Sequence, residues 1–263
     1  MALPEPSAST TALITGASSG IGEAIARELA ARGHGVTLVA RRLERLRALA
    51  SDLADRYRVR AEVVGADLGD AAGRERLAGQ IDELGLEVGI LVNNAGFGGS
   101  GDRERLVAMV ELNCVALLDL QERYVGAMVE RGRGTVINIA STAAFQPLPG
   151  TATYAASKAF VLSLSEATHA ELKGTGVTLT AVCPGPVKTE FMEVAGLDVA
   201  EDQVPGVFWM SAEAVAKAAV EAAENGKRAV VPGLLNRAGA ITGQHTPRML
   251  MLPIAKRVWR QAR

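Results

Sequence analysis

A tyrosine and a lysine four residues apart are the first side chains in this sequence that suggest catalysis. Tyr154 and Lys158 lie in a helical pattern from Thr153 to Lys173, and this spacing places both on one face of a helix. An ammonium group near a phenol favours the phenolate and lowers its pKa, so the phenol can exchange a proton near neutral pH. Ser141, at the end of an apolar run, can hold a carbonyl oxygen by a hydrogen bond. The alternative is an ordinary surface pair.

A glycine-rich stretch near the N-terminus predicts an anion site. The sequence TGASSGIG, Thr15–Gly22, follows the apolar run Ala12–Ile14 and opens an alanine-rich helical pattern. Glycine lets the backbone adopt positive φ and lets a phosphate approach closely. The start of a helix adds unpaired N–H groups and the positive end of the helix dipole. The alternative is a plain turn between a strand and a helix.

The end of the second predicted strand indicates which nucleotide would bind. A site for NAD needs a carboxylate here to accept a hydrogen bond from the ribose 2′-OH. Ala40 occupies that position, and Arg41 and Arg42 follow it. Guanidinium groups match the geometry and charge of phosphate, so the sequence favours the 2′-phosphate of NADP. The alternative is two solvated arginines that open a helix.

Strands and helices alternate along the chain. This alternation predicts βαβ units and an α/β fold with a doubly wound parallel sheet of about seven strands, covered by helices on both faces. We expect a disordered lead at 1–10 and a single domain at 11–263. The predicted strands are Thr11–Thr15, Val36–Ala40, Arg60–Gly65, Gly89–Val92, Gly134–Ala140, Val177–Val182 and Arg228–Val231. The predicted helices are Gly20–Arg32, Leu43–Tyr57, Ala71–Leu84, Asp102–Glu130, Thr153–Lys173 and one from the cap Ser211 to near Asn225.

Polar side chains follow the predicted strands at their carboxyl ends, where ligands bind in a doubly wound sheet. Polarity alone is typical of any loop. Single amides, hydroxyls and carboxylates placed directly after apolar strands favour a binding site instead. These residues are Arg41, Arg42, Asp67, Asn93, Asn94, Ser141 and Thr189.

The composition excludes several other classes of protein. The net charge of −1 over 263 residues gives no basic field for nucleic acid. Two distant cysteines, Cys114 and Cys183, and three scattered histidines lack metal-ligand spacing, so no metal site is expected. The N-terminus has no basic start followed by an apolar run, and no run of 18 apolar residues occurs. We therefore expect a cytoplasmic protein without a signal peptide or transmembrane helix.

Taken together, the motifs resemble the classical short-chain dehydrogenases/reductases. They are TGASSGIG, NNAG at Asn93–Gly96, Ser141, YAASK at Tyr154–Lys158 and PGPVKT at Pro184–Thr189, and the resemblance covers about Thr11 to Val231. It implies a Rossmann-type fold, hydride transfer between NADP and a carbonyl or secondary alcohol, and a homodimer or homotetramer formed through the helices that carry Asn113 and Tyr154. The alternative function is a non-catalytic NADP-binding regulator on the same fold.

The resemblance also implies individual roles. Tyr154 would be the general acid/base, Lys158 would lower its pKa and bind the nicotinamide ribose, and Ser141 would orient the substrate oxygen. Asn113 would hold a water that links Lys158 to solvent. The cofactor contacts would be the phosphate loop Gly16, Ser18, Ser19, Gly20, Ile21 and Gly22; Arg41 and Arg42; Asp67 and Leu68 at the adenine; Asn94, Ala95 and Gly96 at the ribose; and Pro184, Gly185, Val187 and Thr189 at the nicotinamide.

One segment departs from the family pattern, and the C-terminal tail and the substrate residues each carry a separate expectation. Between Gly96 and Asn113 the chain is glycine-rich and several residues shorter than the family's common pattern, which alters the expected rim of the pocket. We expect the tail Arg248–Arg263 to cap the substrate site or to join copies of the chain, in preference to lying on a membrane. The residues expected at the substrate favour an apolar ketone or alcohol, with core packing as the alternative; they are Phe97, Phe145, Leu148, Phe191, Met192, Val194, Phe208, Trp209 and Met210.

Overall fold

The computed structural model describes residues 3–191 and 205–261. Within them, a seven-stranded parallel sheet has the strand order β3-β2-β1-β4-β5-β6-β7. The chain passes from β3 back to β4 on the far side of β1, so the order of the strands reverses between β1 and β4. This reversal opens a crevice at the carboxyl ends of the central strands. The strands are β1 Thr10–Thr15, β2 Val36–Ala40, β3 Ala61–Gly65, β4 Glu87–Asn93, β5 Gly134–Ile139, β6 Val177–Val182 and β7 Ala229–Val230.

Helices connect the strands and cover both faces of the sheet. They are α1 Gly20–Ala31, α2 Leu43–Tyr57, α3 Ala71–Glu83, α4 Arg103–Val110, α5 Ala116–Glu130, α6 Ala152–Glu171, α7 Ala212–Glu224, α8 Leu234–His245 and α9 Arg248–Gln261. A π-helical turn, Glu111–Val115, joins α4 to α5, and short 3₁₀ turns form at Thr142–Phe145 and Gly206–Phe208. None of the helices in these described ranges is long and apolar enough to span a membrane.

Two apolar layers follow from the alternation of side chains along each strand. In β1, Ile14 packs in one cluster with α1, α2 and α7, whereas its neighbour Leu13 packs in the other with α3 and α5. Buried leucines at positions 46, 49 and 53 give α2 a single apolar face. The predicted α/β fold with a doubly wound parallel sheet is therefore confirmed.

Most predicted boundaries agree with the structure to within a few residues, and three differences matter. The predicted helix Asp102–Glu130 is interrupted by the π-helical turn. Strand β4 is longer than expected at both ends. The lead at 1–10 was expected to be disordered, but Leu3 is buried in the core and the Glu87 N–H donates to the Ser9 carbonyl. From Leu3 onward, burial of one leucine and main-chain bonding fix this segment.

Candidate active site

The glycine loop after β1 is held in place by contacts from the end of β4. The Thr15 hydroxyl oxygen accepts hydrogen bonds from the Asn94 and Ala95 N–H groups at 2.9 and 3.0 Å. The Asn94 amide donates to the Thr15 and Gly16 carbonyls at 2.9 and 3.3 Å. Asn94 was expected to line a ribose; the structure shows that it also fixes the shape of the loop.

Close approach explains why glycine is needed in this loop. A Cβ on Gly22 would lie 2.5 Å from both the Asn94 amide nitrogen and the Gly16 carbonyl oxygen. Gly16 and Gly20 have φ of +66° and +60°, which other residues adopt only with strain. Ser19 precedes α1, but its side chain does not cap the helix. The first N–H groups of α1 are therefore left for an anion.

One cleft of about 1310 Å³ begins at this loop and runs along the carboxyl ends of the strands. This volume exceeds the roughly 300–1,000 Å³ typical of small-molecule pockets and leaves room for a dinucleotide and a substrate together. Of the predicted site residues, Gly22 and Asn113 lie behind its wall. The others line it: Gly16, Ser18, Ser19, Gly20, Ile21, Arg41, Arg42, Asp67, Leu68, Asn94, Ala95, Gly96, Ser141, Tyr154, Lys158, Pro184, Gly185, Val187 and Thr189.

Tyr154, Lys158 and Ser141 meet where α6 crosses the end of β5. The Ser141 hydroxyl and the Tyr154 phenol both line the cleft, and the serine acts to lower the pKa of the phenol. The Lys158 ammonium donates to the Ile139 carbonyl at 2.8 Å and lies 6.0 Å from the centre of the Tyr154 ring. The predicted trio is therefore assembled, with the lysine bound to the main chain of β5 behind the tyrosine.

Desolvation shifts the pKa values of both members of this pair. Desolvation raises the pKa of the Tyr154 phenol, and the neighbouring Ser141 hydroxyl opposes this only in part. Burial also lowers the pKa of Lys158 to about 8. Desolvation is the largest cause of the Tyr154 shift, and the Lys158 ammonium lies 6.0 Å from the centre of the ring and is bonded to a carbonyl. The expectation that Lys158 lowers the Tyr154 pKa stays a prediction.

Asn113 lies in the π-helical turn and joins it to the rim of the cleft. Its side-chain oxygen accepts from the Phe97 N–H at 3.1 Å, and its amide donates to the Phe97 carbonyl at 2.9 Å and the Ser157 hydroxyl at 3.0 Å. A Cβ on Gly96 would lie 2.8 Å from the Asn113 oxygen and 3.6 Å from the Lys158 nitrogen. Because Gly96 has no side chain, the Asn113 side-chain oxygen and the Lys158 ammonium can both lie close to it. A water relay through Asn113 stays a prediction.

At the far end of the cleft, Arg42 is bound to the glycine loop. It donates to the Ser18 hydroxyl at 3.1 and 3.0 Å and to the Ser19 hydroxyl at 2.7 Å. Its remaining terminal nitrogen contacts Glu190 at 2.8 Å, and Arg45 contacts the other oxygen of Glu190 at 2.6 Å. The alternative of a plain solvated arginine therefore does not describe Arg42.

Sequence reasoning missed the other two members of this cluster. Arg45 stands three residues after Arg42 on α2, and that helical spacing was an available signal. Glu190 directly follows the PGPVKT motif, but its pairing with α2 spans 148 positions and has no local signature. The two arginines hold the pKa of the Glu190 carboxyl at about 2.

Two phenylalanines and an arginine form the opposite end of the cleft. Phe97 and Phe191 line it, and the Phe191 ring lies 5.8 Å from that of Tyr154. The Arg105 guanidinium lies 5.0 Å above the Phe97 ring and donates to the Ser100 and Gly98 carbonyls, each at 3.2 Å. The short glycine-rich rim is thus held by a side chain from α4.

Other residues expected at the substrate lie elsewhere. Phe145 packs against the third apolar cluster, under α6, and Met210 packs against the first; for both, core packing was the correct alternative. The residues that line the cleft do not include Leu148, Phe208 or Trp209. Met192 and Val194 fall outside the described residues.

Comparison with known proteins decides the family. The family model for short chain dehydrogenases matches residues 10–199. The chain belongs to the short-chain dehydrogenase family. This confirms the resemblance of its motifs. The described residues contain no group of His, Cys, Asp and Glu that could hold a metal ion.

Several relatives within the family are close. The chain is 34% identical over 200 residues to a very-long-chain 3-oxoacyl-CoA reductase of Anas platyrhynchos, covering 72% of this chain but only 64% of that relative's length. It is 37% identical over 186 residues to sulfoacetaldehyde reductase 2 of Chromohalobacter salexigens, covering 68% of this chain and 73% of the relative. A solved short-chain dehydrogenase from Sphingobium yanoikuyae in complex with NADPH is 36% identical, with a TM-score of 0.80 over 92% of this chain and 95% of that one.

Proposed function

We propose that this protein is an NADP-dependent oxidoreductase that interconverts an apolar carbonyl compound and its alcohol, with Tyr154 as general acid/base. The observation that carries this proposal is a single cleft that is lined by Ser141, Tyr154 and Lys158 and also reaches the glycine loop. A non-catalytic NADP-binding regulator would need the cleft and a lysine for the nicotinamide ribose, but it would have no need for the Tyr154 phenol and the Ser141 hydroxyl in the same cleft.

The residues of the site would divide the work of the reaction. A bound nicotinamide supplies the hydride acceptor or donor. In carbonyl reduction, the Ser141 hydroxyl holds the substrate oxygen while the Tyr154 phenol donates a proton to it. The raised pKa of Tyr154 keeps the phenol protonated at neutral pH, which suits this direction. The buried Lys158 ammonium then balances the charge of the phenolate that remains.

The preference for NADP is supported by the arginines at the far end of the cleft. Arg41 and Arg42 both line it, and Arg42 is already oriented by Ser18 and Ser19 toward the glycine loop. Strand β2 ends at Ala40, and Arg41 and Arg42 follow it. The end of the strand therefore carries no carboxylate that could accept a hydrogen bond from a ribose 2′-OH. The Sphingobium relative is named as an NADPH complex, which agrees with this choice.

An apolar substrate is supported by the rings of Phe97 and Phe191 beside Tyr154. The relatives named above differ in this respect, since one is named for a very-long-chain acyl substrate and the other for a sulfonated aldehyde. Arg105, a cation at the rim, donates to main-chain carbonyls and covers Phe97. We therefore favour an apolar carbonyl over an anionic one.

Two further features bear on earlier expectations about surfaces. Apolar side chains are exposed on α4, the π-helical turn and α6, which are the elements proposed to join copies of the chain. They are Val107, Val110, Val115 and Phe160. In α8, Asn236 is buried and donates to the Phe208 carbonyl at 3.1 Å. The helix before the tail thus contacts the turn Gly206–Phe208, and the capping role of the tail Arg248–Arg263 stays a prediction.

A direct test combines binding with turnover. Calorimetric titration with NADPH and NADH should show at least tenfold tighter binding of NADPH, or about 1.4 kcal/mol. NADPH oxidation is then followed with bulky aryl ketones, long-chain acyl thioesters and sulfoacetaldehyde. Turnover of the apolar compounds supports the proposal, and turnover of sulfoacetaldehyde alone contradicts its substrate class. Tight NADPH binding without turnover of any carbonyl would favour the regulator.

A further inference from the structure

Three successive residues after β6 contact three different parts of the cleft. Thr189 lies against the glycine loop, since a Cβ on Gly20 would be 3.1 Å from its methyl group. The Phe191 ring faces the Tyr154 ring. Between them, the Glu190 carboxylate bridges two arginines of the nucleotide end, Arg42 and Arg45.

The bridge occupies the hydrogen-bonding positions that a phosphate would use. Carboxylate and phosphate bind guanidinium groups with the same geometry, and Glu190 places one oxygen on each arginine. Arg42 is already oriented by the two serines of the glycine loop. Among the described residues, Glu190 is the one that pairs with Arg45, so both guanidinium groups converge on a single anion.

Another anion can replace the Glu190 carboxylate on the two arginines with little loss of stability. The side chains of Arg42, Arg45 and Glu190 are 44%, 51% and 38% exposed, and ion pairs at such exposure contribute little to stability. A phosphate monoester carries up to two negative charges and three acceptor oxygens, against one charge and two oxygens in a carboxylate. A 2′-phosphate is therefore the stronger ligand for a pair of arginines.

Resting on the proposed function, we propose that Arg45 joins Arg42 at the 2′-phosphate site, which Arg41 also lines, and that Glu190 is the internal competitor at this site. NADP replaces the Glu190 carboxylate on the two arginines. NAD has no group that does so, and it leaves the bridge intact. Arg45 is then a residue that determines cofactor specificity, and Glu190 weakens the binding of NADP.

Isothermal titration of three probes tests this in wild type, Glu190→Gln and Arg45→Ala. The probes are NADPH, NADH and adenosine 2′,5′-bisphosphate, which carries the 2′-phosphate without a nicotinamide. Glu190→Gln should tighten NADPH and the bisphosphate about threefold. Arg45→Ala should weaken both about tenfold. Neither change should alter the Kd of NADH by more than about twofold, since NADH lacks the group that contacts these residues.

A matched control separates contact from overall charge. Glu44 is on the same helix and pairs with Arg47, so Glu44→Gln removes the same charge without touching the bridge. It should leave all three affinities within about twofold, because charge effects between exposed groups are screened at physiological salt. Equal tightening by Glu44→Gln and Glu190→Gln would overturn the competitor role.

The outcomes also distinguish this inference from the proposed function. Unchanged affinities of Arg45→Ala for NADPH and the bisphosphate would overturn the role of Arg45 at this site while leaving NADP dependence in place. Equal wild-type affinities for NADPH and NADH, with the expected shifts for the bisphosphate, would contradict the NADP preference but support the site. A wild type that binds none of the three probes would overturn both.

Discussion

At the nucleotide end of the cleft, the glycine loop is shaped by part-buried hydrogen bonds of Thr15 and Asn94. At the substrate end, the wall includes the rings of Phe97 and Phe191, and Arg105 covers the first of these. The shape of the nucleotide end depends on the backbone conformation of the glycine loop, and a side chain at Gly22 would clash with Asn94 and Gly16. The substrate end depends on side chains that other residues can replace without moving the sheet. Substitutions at the nucleotide end should therefore affect stability and binding together, and those at the substrate end should mainly affect substrate choice.

The largest effect is expected where the two ends meet, at Tyr154. Replacement by phenylalanine keeps the ring against Phe191 and removes only the hydroxyl, so the fold and the NADPH affinity should remain. Turnover should fall by roughly 10²-fold or more, because the proton donor is lost. Steady-state NADPH oxidation and calorimetric titration of the same sample measure both quantities.

Tyr124→Phe is the matched control for this experiment. The Tyr124 hydroxyl is buried and, within the described chain, has no hydrogen-bond partner, so its removal should leave turnover unchanged. If Tyr154→Phe kept most of the wild-type turnover, the acid/base role would belong to another residue.

A second prediction concerns the rigidity of the nucleotide end. Gly22→Ala places a methyl group 2.5 Å from the Asn94 amide and the Gly16 carbonyl, and should lower the free energy of unfolding by about 1–3 kcal/mol. NADPH binding should weaken as well, since the loop must move. Urea unfolding and titration give the two values.

Gly79 provides the comparison, because it is also inside a helix but has open space where a Cβ would stand. Gly79→Ala should raise the stability by about 0.5–1 kcal/mol and leave nucleotide binding unchanged. If both variants behaved alike, close approach at Gly22 would not be what holds the loop.

The contrast between the two ends also explains what the sequence could predict. The nucleotide end follows from short motifs placed directly after strands, so Gly16, Gly20 and Asp67 could be predicted to lie along the cleft, while their contacts with a cofactor stay predictions. The Arg45–Glu190 pairing joins exposed side chains far apart in the chain, and no local pattern encodes it. Phe145 was misplaced because an aromatic residue beside a loop packs equally well into the core.

Burial is the other quantity that spacing does not reveal. Tyr154 and Lys158 share a helix face as predicted, but their spacing carries no information about how much water surrounds them. The structure buries Lys158 and leaves Tyr154 half-buried, and desolvation is the largest cause of each pKa shift. The depression of the Tyr154 pKa in the complex with oxidised nucleotide, where a second positive charge lies near the phenol, stays a prediction.

The buried lysine makes stability depend on pH in a defined window. The pKa of Lys158 falls from 10.5 to about 8 on folding, so between these values the unfolded chain binds more protons than the folded one. The contribution of Lys158 to stability therefore rises with pH across that window, by at most about 1.4 kcal/mol per unit. In urea unfolding from pH 7 to 9.5, the wild type should gain stability relative to Lys158→Met above pH 8, and a constant difference would contradict this.

The smallest effect is expected at the rim of the substrate end, and it shows whether the two ends are independent. Arg105→Ala removes the two hydrogen bonds to the Ser100 and Gly98 carbonyls and the cover over Phe97. The KM for an apolar ketone should rise about threefold to tenfold, in line with the loss of one or two such bonds, whereas kcat and the Kd of NADPH should stay the same. Arg103 lines the same cleft from the same helix, so Arg103→Ala controls for the loss of a positive charge and should leave KM unchanged. A weaker NADPH affinity in Arg105→Ala would show instead that the rim is coupled to the glycine loop, and the two ends of the cleft would then have to be treated as one unit.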